Sequence, residues 1–319
     1  MATPLLTKNQ LLLAKVETTE GVDAEPTAAL NAILSEPVTA NPDISRVGSN
    51  AVSRSISVRK HRLGRKKLGF SIRVECKGSG TPGTPPEISP LLQACSLKET
   101  IVDTEGSESV SYKPVSPASE QKSCTIYFYY DGKLLKATGC KGNFTLTVTP
   151  GELAVFAFEL SGKHCGETDA ALPVGAVYQT TEPPVVESGN VSIGDFSDGV
   201  IQNLELSSGN EIVDRPDVNS VEGIKGSMIT SRDPELKMTV EATTESVNAW
   251  WSKFTERVEE ALSAQIGSVS GNIVIIDAPK VCISEGASSP KDSNGIVTYE
   301  FTSQALEDSG DDNYTLTFK

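Results

Sequence analysis

The chain has 319 residues and 33.8 kDa, with 28 Lys and Arg against 42 Asp and Glu, a net charge of -14 and a pI near 4.7. That length suits one or two domains able to bury a full core without disulfide staples. The longest apolar clusters, Tyr127 to Tyr130 and Ile273 to Ile276, fall far short of the ~20 residues a membrane-crossing helix needs. Behind Lys8 the run Leu11 to Leu13 meets Lys15 and Glu17 at once, with no small-residue cleavage site. No secretory signal is expected, so the sequons at Asn143, Asn190 and Asn313 carry little weight.

In chain order, residues 50 to 78 predict two long strands. In the second, Leu68, Phe70, Ile72, Val74 and Cys76 alternate with Gly69, Ser71, Arg73, Glu75 and Lys77, the period of a half-buried antiparallel strand. After Pro82, Pro85 and Pro86, the spacing of Ile88, Leu91, Leu92 and Cys95 predicts a short helix over 86 to 96. Strands follow near 124 to 130, 134 to 149 and 152 to 161, separated by Asp131-Gly132 and Pro150-Gly151. Gly166 to Pro184, rich in small residues and Pro, reads as a linker. Paired strands are expected again over 211 to 241.

From Glu245 to Gln265, Val247, Trp250, Trp251, Phe254, Val258, Ala261 and Leu262 form one stripe and predict a long amphipathic helix. The tryptophans are read as core against a sheet. Strands near 272 to 284, 294 to 302 and 312 to 318 complete the chain, with Asn294-Gly295 suited to a tight hairpin. The two halves thus repeat one order of elements at low sequence identity, which predicts an internal duplication.

Catalytic parts are scarce. Cys76, Cys95, Cys124, Cys140, Cys165 and Cys282 show no C-x-x-C spacing, so reduced thiols are expected rather than a metal or redox centre. His164 beside Cys165 suggests a dyad, but neighbours in extended chain point to opposite faces. Gly78, Gly80 and Gly83 form G-x-G-x-x-G, with Asp103 about 20 residues on, as a dinucleotide site would ask. The preceding strand is two-faced rather than continuously apolar, and the prolines crowd the place where a helix should present free N–H groups. The corresponding slot in the second half, Glu241 to Glu245, has no glycine. No enzyme, metal or cofactor is expected.

Charge is uneven. Seven of the fourteen residues from Arg54 to Lys67 are basic (Arg54, Arg59, Lys60, Arg62, Arg65, Lys66 and Lys67) and none is acidic, leaving 21 basic against 42 acidic residues, a net of -21, elsewhere. Such a stripe can bind nucleic acid, form a solvated hairpin, or dock on the acidic surface of a neighbouring copy. The polyanionic remainder favours docking.

Several stretches carry more than pattern. LTKNQLLLAKVETTEGVDAEPTAALNAIL near the start, KLGFSIRVECKGSG followed by PPEISPLLQACSL, and YYDGKLLKATGCKGNFTLTVTPGELAVFAFELSG come in that order. ALPVGAVYQTTEPPVV, SSGNEIVDRPDVNSVEGIKGSMITSRDPELKMTVEA and the ending DDNYTLTF follow. Together they resemble tail tube proteins of long-tailed bacteriophages over nearly the whole chain. The basic segment and the Trp-rich helix depart from that pattern.

The resemblance implies a mainly β protein with two tandem tail-tube-like antiparallel β-sandwich or barrel units, each with one α-helix. The units would span 1–165 and 185–319, with 166–184 as linker. It implies a structural virion protein, made in the host cytoplasm, whose copies close into rings stacked as the tail tube for genome ejection. Three chains would make a pseudo-sixfold ring if the duplication is real, and six if not; three is expected. Partners would be further copies, other tail proteins and passing double-stranded DNA without specific binding, with no membrane. The seven basic residues named above become candidates for contact between subunits or rings. Another tail component, such as a terminator, a baseplate part or an adhesin-like β protein, remains an alternative.

Overall fold

A computed structural model describes residues 5–319 apart from positions 53, 55, 58, 188, 197, 198, 221, 222 and 287–289. Strand makes up 51% of it and helix 5%, so the chain is mainly β, and every strand pair is antiparallel. Among the described residues no helix is long and apolar enough to cross a membrane.

The first half contains β1 (Gln10–Val16), α1 (Ala28–Asn31), β2 (Ala32–Ile33), β3 (Thr39–Val47), β4 (Arg62–Glu75), α2 (Ser89–Ala94), β5 (Leu97–Val102), β6 (Ser109–Pro114), β7 (Cys124–Tyr130), β8 (Lys133–Val148) and β9 (Val155–Asp169). The second contains β10 (Ser192–Ile193), β11 (Ile201–Ser207), β12 (Asn210–Pro216), β13 (Ile224–Arg232), β14 (Glu235–Glu241), α3 (Trp250–Thr255), β15 (Glu260–Ile266), β16 (Val274–Glu285), β17 (Pro290–Ser293), β18 (Ile296–Leu306) and β19 (Thr315–Phe318).

One run of paired strands crosses both halves: β3, β4, β9, β8, β11, β14, β18, β16, β15. Alternation explains its two faces. Leu68, Phe70, Ile72 and Val74 on β4, Phe156 and Phe158 on β9, and Leu236, Met238 and Val240 on β14 are buried. Their neighbours in sequence are mostly Ser, Thr, Glu and Lys and stay at least partly solvated, the period-2 division expected of a sheet wet on one side. The core is shared between halves. Phe144 of β8 packs against Phe156, Phe158 and, from the far end of the chain, Tyr314 at 6.0 Å between ring centroids. β19 also lies between β6 and β16.

Two expected elements differ. The 86–96 helix is present as α2, with Pro90 in its first turn, where a missing N–H costs nothing. The long helix over 245–265 is not: α3 stops at Thr255, and 260–266 is a strand. Val258 N bonds Lys253 O and Arg257 N bonds Phe254 O, with Arg257 at φ +54°, a Schellman closure. Beyond it Leu262, Ala264 and Ile266 are buried, alternating toward the core at period 2. The helical stripe held only over Trp250–Thr255, because a short apolar run fits both periods. The two long strands expected over 50–78 are likewise displaced. Only the second forms within that range, as β4; the strand that pairs with it, β3, lies before residue 50, and the described residues of 48–61 carry no strand.

The tryptophans split accordingly. Trp250 is buried between Phe196 and Phe301, whereas Trp251 is 49% exposed and leans on Phe254. β9 continues through Gly166 to Asp169. Of the residues after it, Leu172, Ala176 and Tyr178 pack against the cluster around Leu11 and Leu13.

Candidate assembly surface

The most built feature of this molecule is the seam where its two halves join. Thr145 to Val148 of β8 pair with Leu204 to Ser207 of β11, with Leu146 opposite Leu206. Leu146 also faces Phe156 of β9, so β11 occupies the edge of β8 opposite β9. Just past the ladder, side chains continue it. Asn143 Oδ1 accepts from Asn210 N at 2.6 Å and from Ser208 Oγ at 2.9 Å, while Asn143 Nδ2 donates to Asn210 O at 2.9 Å. Asn210 Nδ2 reaches Gly142 O and Cys95 O at 3.0 and 2.9 Å. These bonds satisfy buried groups that would otherwise cost free energy.

Charge reinforces the seam. Asp214 on β12 accepts hydrogen bonds from Lys67 Nζ at 2.7 Å, Arg65 Nη1 at 3.0 Å and Ser227 Oγ at 3.0 Å. Partial burial opposes its charge, but the Lys67 and Ser227 bonds and the two cations hold its carboxyl below the usual value. Lys141 Nζ, buried, bonds Ser227 O and pairs with Glu20.

Of the seven basic candidates, Arg65 and Lys67 therefore meet an acid within the same chain. Arg54, Arg59, Lys60, Arg62 and Lys66 are exposed. No spacing rule could have found Asp214, which lies 147 residues from Lys67.

Two strand borders end the run. β3 pairs with β4 alone among the described residues. At the other end β15 pairs with β16 only as far as Val281, and β17 pairs only with β18. Among the described residues, no strand lies beside Cys282 to Glu285 on the β15 side or along the outer border of β17.

The motifs of catalytic promise serve structure. Gly78 N bonds Asn272 Oδ1 at 2.8 Å and Gly80 N bonds Gly271 O at 2.9 Å, joining the glycine-rich loop to the loop before β16. A Cβ on Gly78 would overlap Gly271 O. His164 Nδ1 accepts from Gly166 N, and Cys165 Sγ lies 3.4 Å from Thr138 Oγ1, so neither engages the other. All six cysteines are free. Burial pushes the Cys76 thiol up to about 12 and those of Cys95 and Cys140 upward as well, away from the thiolate a nucleophile needs. Among the described residues no group of His, Cys, Asp and Glu could hold a metal ion.

A two-faced antiparallel sheet with strand borders left open among the described residues defines an edge-presenting class of β protein. Compared with models of known families, the chain matches that described as phage tail tube protein over residues 7–305, and it belongs to that family. It is therefore a structural component of the phage virion tail. No curated protein matches it.

Proposed function

We propose that this chain is the ring-forming subunit of the tail tube, its rings stacking into the conduit through which the genome is ejected into the host cell. The observation that carries the reading is the continuous sheet from β4 to β18, buried on one face, polar on the other, and ending in open borders. Such borders are a liability in a solitary protein and become adhesive where copies complete one another. Assembly would follow synthesis in the host cytoplasm.

Two tandem units are read as 1–165 and 185–319 around a connecting 166–184, whose first residues, to Asp169, extend β9. The order β3, β4, β9, β8 in the first half matches β11, β14, β18, β16 in the second, with a helix after β4 and after β14. Three such chains would close a pseudo-sixfold ring.

The polar face of that sheet would line the lumen. It presents Glu75, Glu159, Glu205, Glu235, Glu241 and Glu300 against Lys67, Arg73, Lys163 and Lys237, with Lys141 buried on the same side. Duplex DNA carries one negative charge per about 1.7 Å, so an acid surplus repels the passing backbone where a basic wall would release counterions and hold it. The exposed basic residues would then contact a neighbouring subunit or ring, and no cofactor or catalytic step is assigned.

Electron microscopy and mass measurement of purified protein test this. Hollow tubes built from three-chain rings are expected. Single rings that never stack would favour a tail terminator, and protein that stays monomeric at high concentration would overturn the reading.

A further inference from the structure

The seam inside the chain serves as a template for the contact between chains. Glu75 and Glu241 end β4 and β14, paired with Val155 and Thr298, so Val74 corresponds to Val240 and Phe70 to Leu236. Through their partners, Ala40 of β3 corresponds to Leu206 of β11. Likewise Val74 faces Phe156 and Val240 faces Tyr299. The next strands out from these are Leu146 on β8 and Pro290 on β17. In the chain, Leu206 lies opposite Leu146. Ala40 and Pro290 are their counterparts, and each sits on an open border.

We propose that β3 of one copy pairs antiparallel with the outer border of β17 of a second copy, in the register that sets Ala40 opposite Pro290 and Thr39 opposite Lys291. The inference rests on the ring reading and specifies its interface. The two borders are different surfaces at opposite ends of one sheet, so the contact is head to tail and closes into a ring when its rotation allows.

Charge agrees with this occupant. The segment joining β3 to β4 takes the place that the β12–β13 hairpin takes between β11 and β14. In the chain, that hairpin brings acidic Asp214 onto basic Lys67 and Arg65. Between chains the signs exchange. The joining segment and the start of β4 expose Arg54, Arg59, Lys60 and Arg62, while Asp233, Glu285 and Asp292 are exposed near the receiving border, where Glu300 already holds Lys291. By the same correspondence Asp233 stands where Lys67 stands in the first half. Pro42 and Pro290 each lack an N–H, as residues on strand borders can, so this interface carries fewer backbone bonds than the seam inside the chain.

The test is disulfide trapping of assembled full-length protein in a Cys165→Ser, Cys282→Ser background carrying Thr39→Cys and Lys291→Cys. Both substituted positions are exposed, the four remaining cysteines are buried, and each chain carrying only one of the two substitutions reports separately on folding and assembly. Mild oxidation should give covalent dimers and trimers from the double variant only, with the ladder stopping at the ring number. Rings seen by microscopy without cross-linking would overturn this interface and leave the tube reading standing. Absence of both rings and cross-links, with folded single variants, would overturn the two together.

Discussion

Asn143 and Asn210 exchange two hydrogen bonds, Asn143 Oδ1 accepting from the Asn210 backbone N at 2.6 Å and Nδ2 donating to its O at 2.9 Å. A side chain thus does for Asn210 what a strand neighbour would do, extending the β8–β11 seam past its last backbone pair. Replacing Asn143 by Ala leaves these groups unpartnered, and each such group costs about 1–3 kcal/mol. Asn143→Ala is expected to lower stability by roughly 2–3 kcal/mol, read as a shift of the urea midpoint at unchanged slope. Asn143→Asp, which keeps the acceptor and loses the donor, should fall between.

Asp214 gives the seam an acid limb. Its folded carboxyl titrates below the ordinary value, near 4 for a free Asp, so its contribution is fully present above that value and is lost as pH falls through the folded one. Denaturation midpoints of the parent and Asp214→Asn should differ at pH 6 and converge toward pH 3. A difference that persists unchanged at pH 3 would mean the cations do not stabilise the folded state through this charge.

The glycine-rich loop is expected to behave as packing. A Cβ at Gly78 meets Gly271 O and Asn272 Cα, both backbone, and neither can step aside as a side-chain tip could. Gly78→Ala should therefore destabilise the protein by more than the roughly 1 kcal/mol typical of point changes. Gly106→Ala, with open space around it but positive φ, should cost less. Thermal denaturation of the two variants separates a steric effect from a general intolerance of side chains in loops.

The adjacent tryptophans should differ sharply. Trp250 is buried against Phe301 at 4.9 Å and Phe196 at 5.1 Å, and its truncation to Ala is expected to cost about 3–5 kcal/mol. Trp251, half exposed, should cost under about 1 kcal/mol on the same change. Intrinsic fluorescence of each single-Trp chain provides a second check. Trp250 should emit at the shorter wavelength and resist quenching by iodide.

Much of the strand content was legible along the chain because alternation is local. Phe144, Leu146 and Val148 against Thr145 and Thr147 announce β8 without any knowledge of its partners, and Asp131-Gly132 marks the turn that returns β7 onto it. The short helix after the prolines was legible for the same reason. Residues 260–266 were not, since Ala261 and Leu262 continue the stripe of Phe254 and Val258 as readily as Leu262, Ala264 and Ile266 make a strand. The decision came from the turn at Arg257 and from β16 lying alongside. The seven basic residues were visible as a block, but the acid that meets two of them was not.

By itself the sequence determined that alternating segments such as β4, β8 and β14 would be extended, which face of each would be wet, where several turns fall and where positive charge gathers, because side-chain type and spacing carry that information. Only the tertiary structure decided that β11 completes the border of β8, that β19 lies between β6 and β16, and that β3 and β17 are left open among the described residues. Every residue but proline offers the same backbone donor and acceptor. Composition therefore cannot name a strand's neighbour, and the choice among borders falls to packing between residues far apart in the chain.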